Sequence, residues 1–257
     1  MDKNGRKAIL VTGGAKGIGH SISLCLAEAG YDIAINYHNR PEAAAKTLEE
    51  VRARGVDGCI IRADISDLAD LERMYCEAYD YFGELYGVVN NAGVGVEKYF
   101  LDTTEEEFDF MVNVDFKGTY FCTQYAAKRM IEHGTKGIII NVTSNQAVGN
   151  WPRSTVYGPT KAAVSKFTEN AAMELALYGI RVNNIAPGYT EAGWEPGDHR
   201  FDAADKLPLK RFATMDEIGK CTAFLVSDAA SYMTGATLTI DGGALLPVVA
   251  CNDFVKD

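Results

Sequence analysis

The chain has 257 residues, 47% of them hydrophobic and 23% charged, which is enough apolar material for one large core or two small ones. Its formal net charge is -10, and its Lys and Arg residues form no run, which argues against a nucleic-acid partner. The six cysteines show no C-x-x-C spacing, so we expect neither a disulfide framework nor a metal site.

Short apolar runs alternate with longer segments of helical periodicity along the whole chain. Several of the runs are apolar throughout, which is typical of parallel strands buried on both faces. The predicted strands are Ala8–Thr12, Asp32–Tyr37, Gly58–Arg62, Gly87–Asn90, Gly137–Val142, Arg181–Ala186 and Thr237–Ile240. The predicted helices are Ile18–Ala29, Glu42–Arg54, Ala69–Tyr81, Glu105–Arg129, Val156–Leu177 and Asp216–Val226. This alternation predicts an α/β fold, a doubly wound Rossmann-type sheet of seven mostly parallel strands with helices on both faces.

The chain shows no linker, repeat or low-complexity stretch, so we expect residues 1–257 to form a single domain. Its first residues are charged, without the apolar region of a signal peptide, and no segment is long and apolar enough to span a membrane, so we expect a cytoplasmic protein. Residues Gly188–Leu207 lack clear periodicity but contain Trp194 and Phe201. A loop of this length in a compact domain predicts a functional segment, here a substrate loop or lid.

The first strand leads into a glycine-rich turn, Thr12-Gly13-Gly14-Ala15-Lys16-Gly17-Ile18-Gly19. Gly13, Gly17 and Gly19 permit a tight turn, close approach of the backbone to a pyrophosphate, and close packing of helix on strand. The helix that follows would present its N-terminal amides and its dipole to the phosphates. The turn therefore predicts a dinucleotide site.

The end of the second strand bears on the choice of dinucleotide. An Asp or Glu there would bind the ribose 2′-hydroxyl of NAD and repel the 2′-phosphate of NADP. The sequence Ile35-Asn36-Tyr37-His38-Asn39-Arg40 has no carboxylate. Because Arg and Lys hold phosphates directly, His38, Arg40 and Lys16 favour NADP(H). The alternative is NAD(H), with Lys16 and Arg40 as solvated surface charges.

Tyr157 and Lys161 are separated by four residues, a spacing that places two side chains on one face of a helix roughly 5–6 Å apart. A nearby cation favours the phenolate, and a phenol in that setting can exchange a proton with an alcohol or carbonyl oxygen. The spacing also fits an ordinary surface pair, so its meaning depends on the rest of the chain.

Together these motifs resemble those of the short-chain dehydrogenase/reductase family. The glycine turn has the family's T-G-x-x-x-G-x-G spacing. The further matches, in chain order, are Asn90-Asn91-Ala92-Gly93, Val112-Asn113-Val114, Ser144 thirteen residues before Tyr157, Tyr157-x-x-x-Lys161, Pro187-Gly188 and Asp241-Gly242-Gly243. The resemblance covers about residues 6 to 247.

The resemblance implies a catalytic tetrad for hydride transfer between a carbonyl and a secondary alcohol. Tyr157 would exchange the proton, and Ser144 would hydrogen-bond the substrate oxygen. Lys161 would assist Tyr157 and bind the nicotinamide ribose. Asn113, through its backbone at a kink in its helix, would hold a water that relays protons to Lys161.

The resemblance also implies further cofactor contacts, and the chain departs from the family's pattern twice. The further contacts are Asp64 at the adenine ring, Ile65, Asn91, Ala92, Gly93, Pro187, Gly188 and Thr190. Pro159 lies between Tyr157 and Lys161, so the helix must begin near Tyr157 to keep the pair aligned. Ala192 stands where the family often has a Thr that contacts the nicotinamide carboxamide, and Thr190 lies two residues earlier.

The substrate is expected to be a small carbonyl or alcohol compound, bound by Gly93–Tyr99, Gln146–Arg153 and the substrate loop. The candidate contacts are Trp151, Pro152, Arg153, Tyr189 and Trp194, with Arg153 either holding a substrate carboxylate or remaining a solvated charge. The motifs are similar to those of glucose dehydrogenases and of oxoacyl-carrier reductases, which leaves a sugar or polyol and a 3-oxoacyl thioester open.

Assembly and reaction class also follow from the resemblance. The family pairs its two long helices across a two-fold axis, which implies a homotetramer or homodimer. A non-catalytic dinucleotide-sensing regulator is one alternative, and the presence of both Tyr157 and Lys161 argues against it. Epimerase or dehydratase chemistry is another, and the lack of an added C-terminal substrate domain argues against that.

Overall fold

The computed structural model describes residues 5–191 and 204–246. Its strands are β1 (Ala8–Val11), β2 (Asp32–Tyr37), β3 (Gly58–Arg62), β4 (Gly87–Asn90), β5 (Ile138–Val142), β6 (Arg181–Pro187) and β7 (Thr237–Ile240). Its helices are α1 (Gly17–Glu28), α2 (Pro41–Arg52), α3 (Leu68–Phe82), α4 (Glu105–Met111), α5 (Thr119–His133), α6 (Tyr157–Leu175) and α7 (Met215–Val226). The alternation of strands and helices that the sequence predicts is thus confirmed.

The seven strands form one sheet in the order β3-β2-β1-β4-β5-β6-β7, and every neighbouring pair is parallel. The order reverses between β1 and β4, which are neighbours in the sheet, with Leu10 opposite Val88. Connections leave these two strands in opposite directions, which opens a crevice at their carboxyl ends. The fold therefore places a ligand site beyond Val11 and Asn90.

The core lies in two layers, one on each face of the sheet, because side chains alternate along each strand. Leu10, Val88 and Ile139 pack on the side of α3 and α5. Ile9 and Ile140 pack on the side of α1 and α7. This two-sided burial explains why the central strands are apolar throughout.

A ladder of buried amides and hydroxyls ties the central strands to the helices. Asn90 Nδ2 donates to Asn141 Oδ1 at 2.8 Å and to Thr123 Oγ1 at 3.0 Å. Asn141 Nδ2 in turn donates to Thr168 Oγ1 at 2.8 Å. The ladder joins β4 and β5 to α5 and α6, directly behind the carboxyl ends of the strands.

The prediction of one regular helix over Glu105–Arg129 is wrong. Thr104 and Glu107 form a capping box at its start, and α4 then gives way to a π-helical segment, Val112–Gly118, before α5 continues to His133. An inserted π turn rotates the residues that follow it relative to an α-helix. This rotation decides which polar side chains of the segment face the site.

Other differences from prediction are small. The strand β6 includes Pro187, whereas Thr12 and Gly137 lie just outside their strands. α6 ends at Leu175, and a 3₁₀ turn, Ala176–Tyr178, follows it. Within residues 5–191 and 204–246, no helix combines the length and apolar character needed to cross a membrane.

Candidate active site

The glycine turn between β1 and α1 leaves little room for side chains at three of its positions, Gly13, Gly14 and Gly19. A Cβ at Gly19 would lie 2.2 Å from the carbonyl oxygen of Gly13 and 2.4 Å from Asn91 Nδ2. A Cβ at Gly13, where φ is 61°, would lie 3.0 Å from the Cα of Ala92. A Cβ at Gly17 would have no described neighbour within 4 Å. Glycine is favoured there because φ is 55°, in the left-handed region that other residues rarely adopt.

Side chains from neighbouring strands hold this turn in place. Asn91 Nδ2 donates to the carbonyl oxygens of Thr12 at 3.0 Å and Gly13 at 3.3 Å. Asn36 Oδ1 accepts the N–H of Gly13 at 3.1 Å, and its Nδ2 donates to Ala63 O at 3.1 Å. Sequence reasoning gave Asn36 no role, whereas the structure shows that it positions the turn.

The turn fits a pyrophosphate. The His20 N–H donates to the Lys16 carbonyl at 3.1 Å as the helical ladder begins, and the amides of the first turn of a helix have no partner within the helix. Such amides, together with the helix dipole, bind phosphate oxygens.

Lys16 and Arg40 are the two cations that the sequence predicts at a dinucleotide site. Lys16 precedes α1, Arg40 precedes α2, and both side chains are exposed. Gly14 N–H donates to Asn36 O at 3.0 Å, and Thr47 Oγ1 on α2 donates to Ala15 O at 3.2 Å. The turn carrying Lys16 is therefore packed against the strand and helix on either side of Arg40.

His38 and Asp64 lie together at the ends of β2 and β3. His38 Nε2 is 3.7 Å from Asp64 Oδ2. Asp64 Oδ1 accepts hydrogen bonds from the N–H and hydroxyl of Ser66, at 2.9 and 2.7 Å. Ile65 is buried, and a Cβ at Gly118 would lie 2.9 Å from its carbonyl oxygen. Contact of Asp64 with an adenine ring stays a prediction.

α6 begins at Tyr157, which confirms the expectation that Pro159 falls in the first helical turn. Proline is compatible with that turn because its missing N–H has no helical partner there. The Lys161 side chain is only 5% exposed, and its Nζ lies 5.4 Å from the centroid of the Tyr157 ring. The phenol therefore sits beside a buried ammonium group.

Ser144 lies two residues beyond β5 and is buried. Its Oγ accepts the N–H of Gln146 at 3.1 Å, which caps a short 3₁₀ turn. That contact uses a lone pair of the hydroxyl and leaves its proton to donate elsewhere. Ser144 can thus be a cap and still hydrogen-bond a substrate oxygen.

The π-helical segment brings Asp115 to Lys161, a residue that motif reading missed. Asp115 Oδ1 is 3.9 Å from Lys161 Nζ and accepts the N–H of Val94 at 2.8 Å. Burial raises the pKa of Asp115, against the opposing effects of the Lys161 ammonium and the Val94 N–H. Asn113 lies in the same π-helical segment, which interrupts the helix where the kink is expected, and its role in the tetrad stays a prediction.

Beyond the sheet lies a cleft of about 1140 Å³. The expected site residues that line it are Ile18, Asn91, Gly93, Ser144, Tyr157, Lys161, Pro187, Gly188 and Thr190. The expected cofactor residues that lie outside this lining are Gly13, Lys16, Gly17, Gly19, His38, Arg40, Asp64, Ile65 and Ala92. One cleft thus joins the tyrosine–lysine pair to the end of the glycine turn.

The substrate side of the cleft is aromatic with charge at its rim. Trp151 Nε1 donates to the Tyr189 hydroxyl at 2.9 Å, and the Tyr189 ring stacks on Phe212. Arg153 forms an ion pair with Glu97 at 3.2 Å, and both line the cleft. Pro152 lines it as well, as does Lys206, which sequence reasoning did not single out.

The loop after β6 contributes a tight corner. The Gly188 N–H donates to Ile240 O at 2.8 Å, and a Cβ at Gly188 would lie 2.6 Å from that of Asp241. The buried Thr190 hydroxyl donates to Gly188 O at 3.1 Å. Ala192, Trp194 and Phe201, and so most of the expected substrate loop, lie outside the described residues. Among the residues that the structure does describe, no cluster of His, Cys, Asp and Glu could hold a metal ion.

Comparison with known proteins gives consistent matches over nearly the whole chain. The family model described as enoyl-(acyl carrier protein) reductase matches residues 13–244. A 3-oxoacyl-[acyl-carrier-protein] reductase, FabG, of Staphylococcus aureus is 39% identical over 241 residues, which are 92% of this chain and 97% of the relative. An uncharacterized oxidoreductase of Escherichia coli, YohF, is 34% identical over 240 residues, 92% of this chain and 95% of that protein.

Solved structures agree with these matches. A short-chain type dehydrogenase/reductase from Mycobacterium marinum has a TM-score of 0.90 at 33% identity and covers 96% of this chain and 98% of its own. An acetoin dehydrogenase, YohF, from Salmonella typhimurium has a TM-score of 0.84 at 33% identity and covers 93% of this chain and 96% of its own.

Proposed function

Because the chain belongs to the short-chain dehydrogenase/reductase family of oxidoreductases, we propose that it is an NADP(H)-dependent enzyme that interconverts a carbonyl and a secondary alcohol. The observation that carries the proposal is the single cleft lined by Ser144, Tyr157 and Lys161 together with Ile18 of the glycine turn. A dinucleotide held at its phosphates by the turn would have its nicotinamide end near the phenol.

The chain's own residues would supply proton transfer and orientation. The bound nicotinamide would supply the hydride or accept it. During reduction the Tyr157 hydroxyl donates its proton to the carbonyl oxygen, and during oxidation the phenolate takes the proton of the alcohol. The Ser144 hydroxyl donates to the same oxygen where negative charge develops, and the Lys161 ammonium stabilises the phenolate.

NADP(H) is favoured over NAD(H) by charge at the adenine corner. The exposed cations Lys16 and Arg40 precede α1 and α2 on this side, and the end of β2, from Ile35 to Arg40, carries no carboxylate. The Asn36 amide is used by the turn, through Gly13 and Ala63. A 2′-phosphate therefore meets positive charge there.

The substrate proposed is a small ketone or secondary alcohol whose neighbouring carbon also bears oxygen, or a 3-oxoacyl thioester. Acetoin and 3-oxoacyl substrates are those named for two similar proteins. The aromatic wall of Trp151 and Tyr189 suits an apolar substituent, while Gln146 and Arg153 offer donors to a second oxygen. A sugar or polyol is the alternative, since the same mixture of rings and donors binds sugars.

The test is turnover of a substrate panel. The purified protein is assayed with NADPH and NADH against acetoin, a short 3-oxoacyl thioester and glucose, by nicotinamide absorbance. Tyr157→Phe should lower turnover by about 10²–10⁴-fold while leaving NADPH binding within about threefold, since it removes only the proton donor. Tyr81→Phe, whose hydroxyl contacts Asp57 away from the cleft, is the matched control and should retain activity. Substantial turnover by Tyr157→Phe would refute the mechanism.

A homotetramer is proposed from two separate apolar surfaces. The first, on α6 and the turn after it, exposes Met173, Leu177 and Tyr178. The second exposes Phe224 of α7 and Tyr232 beside the edge strand β7. Exposed apolar patches of this kind mark interfaces, and two of them build a dimer of dimers. Sedimentation should show tetramers for the parent and dimers for Tyr232→Glu; a monomeric parent would contradict this assembly.

A further inference from the structure

Asp115 and Lys161 form a buried ion pair beside the Tyr157 phenol. The Asp115 side chain is fully buried, the Lys161 side chain is 5% exposed, and their charged atoms are 3.9 Å apart. Opposite charges taken out of water interact more strongly than they would at a surface. The pair therefore belongs to the electrostatics of the site rather than to the solvated surface.

The pair is enclosed by backbone. A Cβ at Gly93 would lie 3.0 Å from Asp115 Oδ1 and 3.1 Å from Lys161 Nζ, so the loop after β4 closes directly over it. Lys161 Nζ also donates to Val142 O at 3.5 Å, a long contact. Among residues 5–191 and 204–246, the charged and titratable groups at the pair are its own two members and Tyr157; β5 adds the Val142 carbonyl, and the loop after β4 adds the Val94 N–H.

Only one of the two carboxylate oxygens of Asp115 has a hydrogen-bond partner among the described residues. Oδ1 accepts the Val94 N–H and so anchors the loop, whereas the buried Oδ2 has no hydrogen-bond partner there. An uncharged amide would serve the loop equally well through its own oxygen. The charge of Asp115, as distinct from its shape, therefore needs another explanation.

We propose that Asp115 is a positioning residue that acts as the counterion of Lys161 and favours the protonated phenol of Tyr157. A cation beside Tyr157 favours the phenolate, and a carboxylate beside that cation offsets part of its effect. In terms of the proposed function, on which this inference rests, Asp115 keeps Tyr157 a proton donor at neutral pH. It moves to higher pH the range in which Tyr157 accepts a proton from an alcohol.

The size of the effect follows from distance. Lys161 Nζ lies 3.9 Å from Asp115 Oδ1 and 5.4 Å from the centroid of the Tyr157 ring, so Asp115 Oδ1 is within about 9 Å of that centroid. A unit charge at that distance near a protein surface shifts a titration by about one pH unit. Removal of the carboxylate charge should therefore move the ionisation of Tyr157 to lower pH by about that amount.

The test uses Asp115→Asn, which keeps an oxygen for the Val94 N–H and removes the charge. Phenolate absorbance is titrated in the full-length protein and in Asp115→Asn, each minus its own Tyr157→Phe counterpart, which isolates the Tyr157 phenol. Asp109→Asn, which removes an exposed carboxylate of α4, is the matched control. The pH dependence of alcohol oxidation is measured on the same proteins.

The expected result is a Tyr157 titration and an oxidation profile shifted about one pH unit towards acid in Asp115→Asn alone. Superimposable titrations of parent and Asp115→Asn would overturn the proposal, since a purely structural Asp115 changes stability but not the phenol. If no substrate is turned over, the proposed function fails, and the absorbance titration still decides the role of Asp115. Should Asp115→Asn not fold, Asp115→Ser carries the same comparison.

Discussion

Gly19→Ala is the substitution for which the structure makes the sharpest prediction. Gly19 has no left-handed backbone to protect, so only the added methyl group matters. That methyl would lie 2.2 Å from Gly13 O, a backbone atom, and 2.4 Å from Asn91 Nδ2. Carbon and oxygen in contact need roughly 1 Å more than this, so either α1 or the turn must move.

The cost can be worked from those contacts. Forcing a methyl into a packed site costs about 1–3 kcal/mol. Displacing Asn91 strains its hydrogen bonds to Thr12 and Gly13, worth about 0.5–1.5 kcal/mol each. A total near 3 kcal/mol lowers the melting temperature of a chain of this size by roughly 6–12 °C.

The assay is thermal unfolding with and without NADPH, alongside two graded controls. Gly95→Ala, in open space with an ordinary backbone, should change the melting temperature by no more than about 1 °C. Gly17→Ala, also in open space but with positive φ, should cost about 1–2 kcal/mol.

A hundredfold excess of NADPH over its Kd should stabilise the parent by about 2.7 kcal/mol and Gly19→Ala by much less. If Gly19→Ala melts within about 2 °C of Gly95→Ala, close packing at this glycine is not required and the reasoning fails.

Three further predictions follow from other parts of the molecule. Arg40→Asp places a carboxylate at the adenine corner and should weaken NADPH binding at least tenfold while changing NADH binding little; unchanged selectivity in fluorescence titrations would contradict the assignment of NADP(H). Because burial raises the folded-state pKa of Asp115, the stability that this group contributes is present below its unfolded value of about 4 and is lost as pH rises through the folded value. Asp115→Asn should therefore gain stability relative to the parent in urea unfolding as the pH rises above about 4, and a difference independent of pH would contradict this. Asn141→Leu removes one of the two acceptors of Asn90 Nδ2 and the donor to Thr168 Oγ1, and it should cost about 2–3 kcal/mol; a cost below about 0.5 kcal/mol in urea unfolding would show that the ladder is dispensable.

The sheet is the part of the fold that sequence patterns predict best. β2, β3, β4 and β7 have the predicted bounds, because apolar runs ended by turn residues have few other places to lie in an α/β protein. The start of α6 at Tyr157 was also predictable, since Pro159 is compatible only with a first helical turn. In both cases one local rule excludes the alternatives.

The site itself was only partly predictable, because its details depend on contacts between distant segments. Asn36 and Asn91 hold the glycine turn from β2 and from the loop after β4. The pairing of Trp151 with Tyr189 likewise joins residues that are 38 positions apart. No local pattern encodes these contacts. Asn91 is a predicted cofactor contact, and its polar position at the carboxyl end of a strand next to β1 is a signal that Asn36 shares.

Asn113 and Asp115 show where apolar periodicity fails to predict which side chain of a helix faces the site. Asn113 and Asp115 are two residues apart, so a regular helix would turn them to opposite sides, and apolar spacing around them cannot say which side faces Lys161. The π-helical segment Val112–Gly118, at the kink that the resemblance implies, adds a rotation that apolar periodicity does not encode, and it directs Asp115 towards the ammonium. A buried carboxylate is costly unless it is paired, so its presence at this position carries more information than an amide would. An amide in place of the Asp115 carboxylate would keep the packing. The charge of Asp115, which lies beside the Lys161 ammonium, is therefore best explained by its effect on the proton of the Tyr157 hydroxyl.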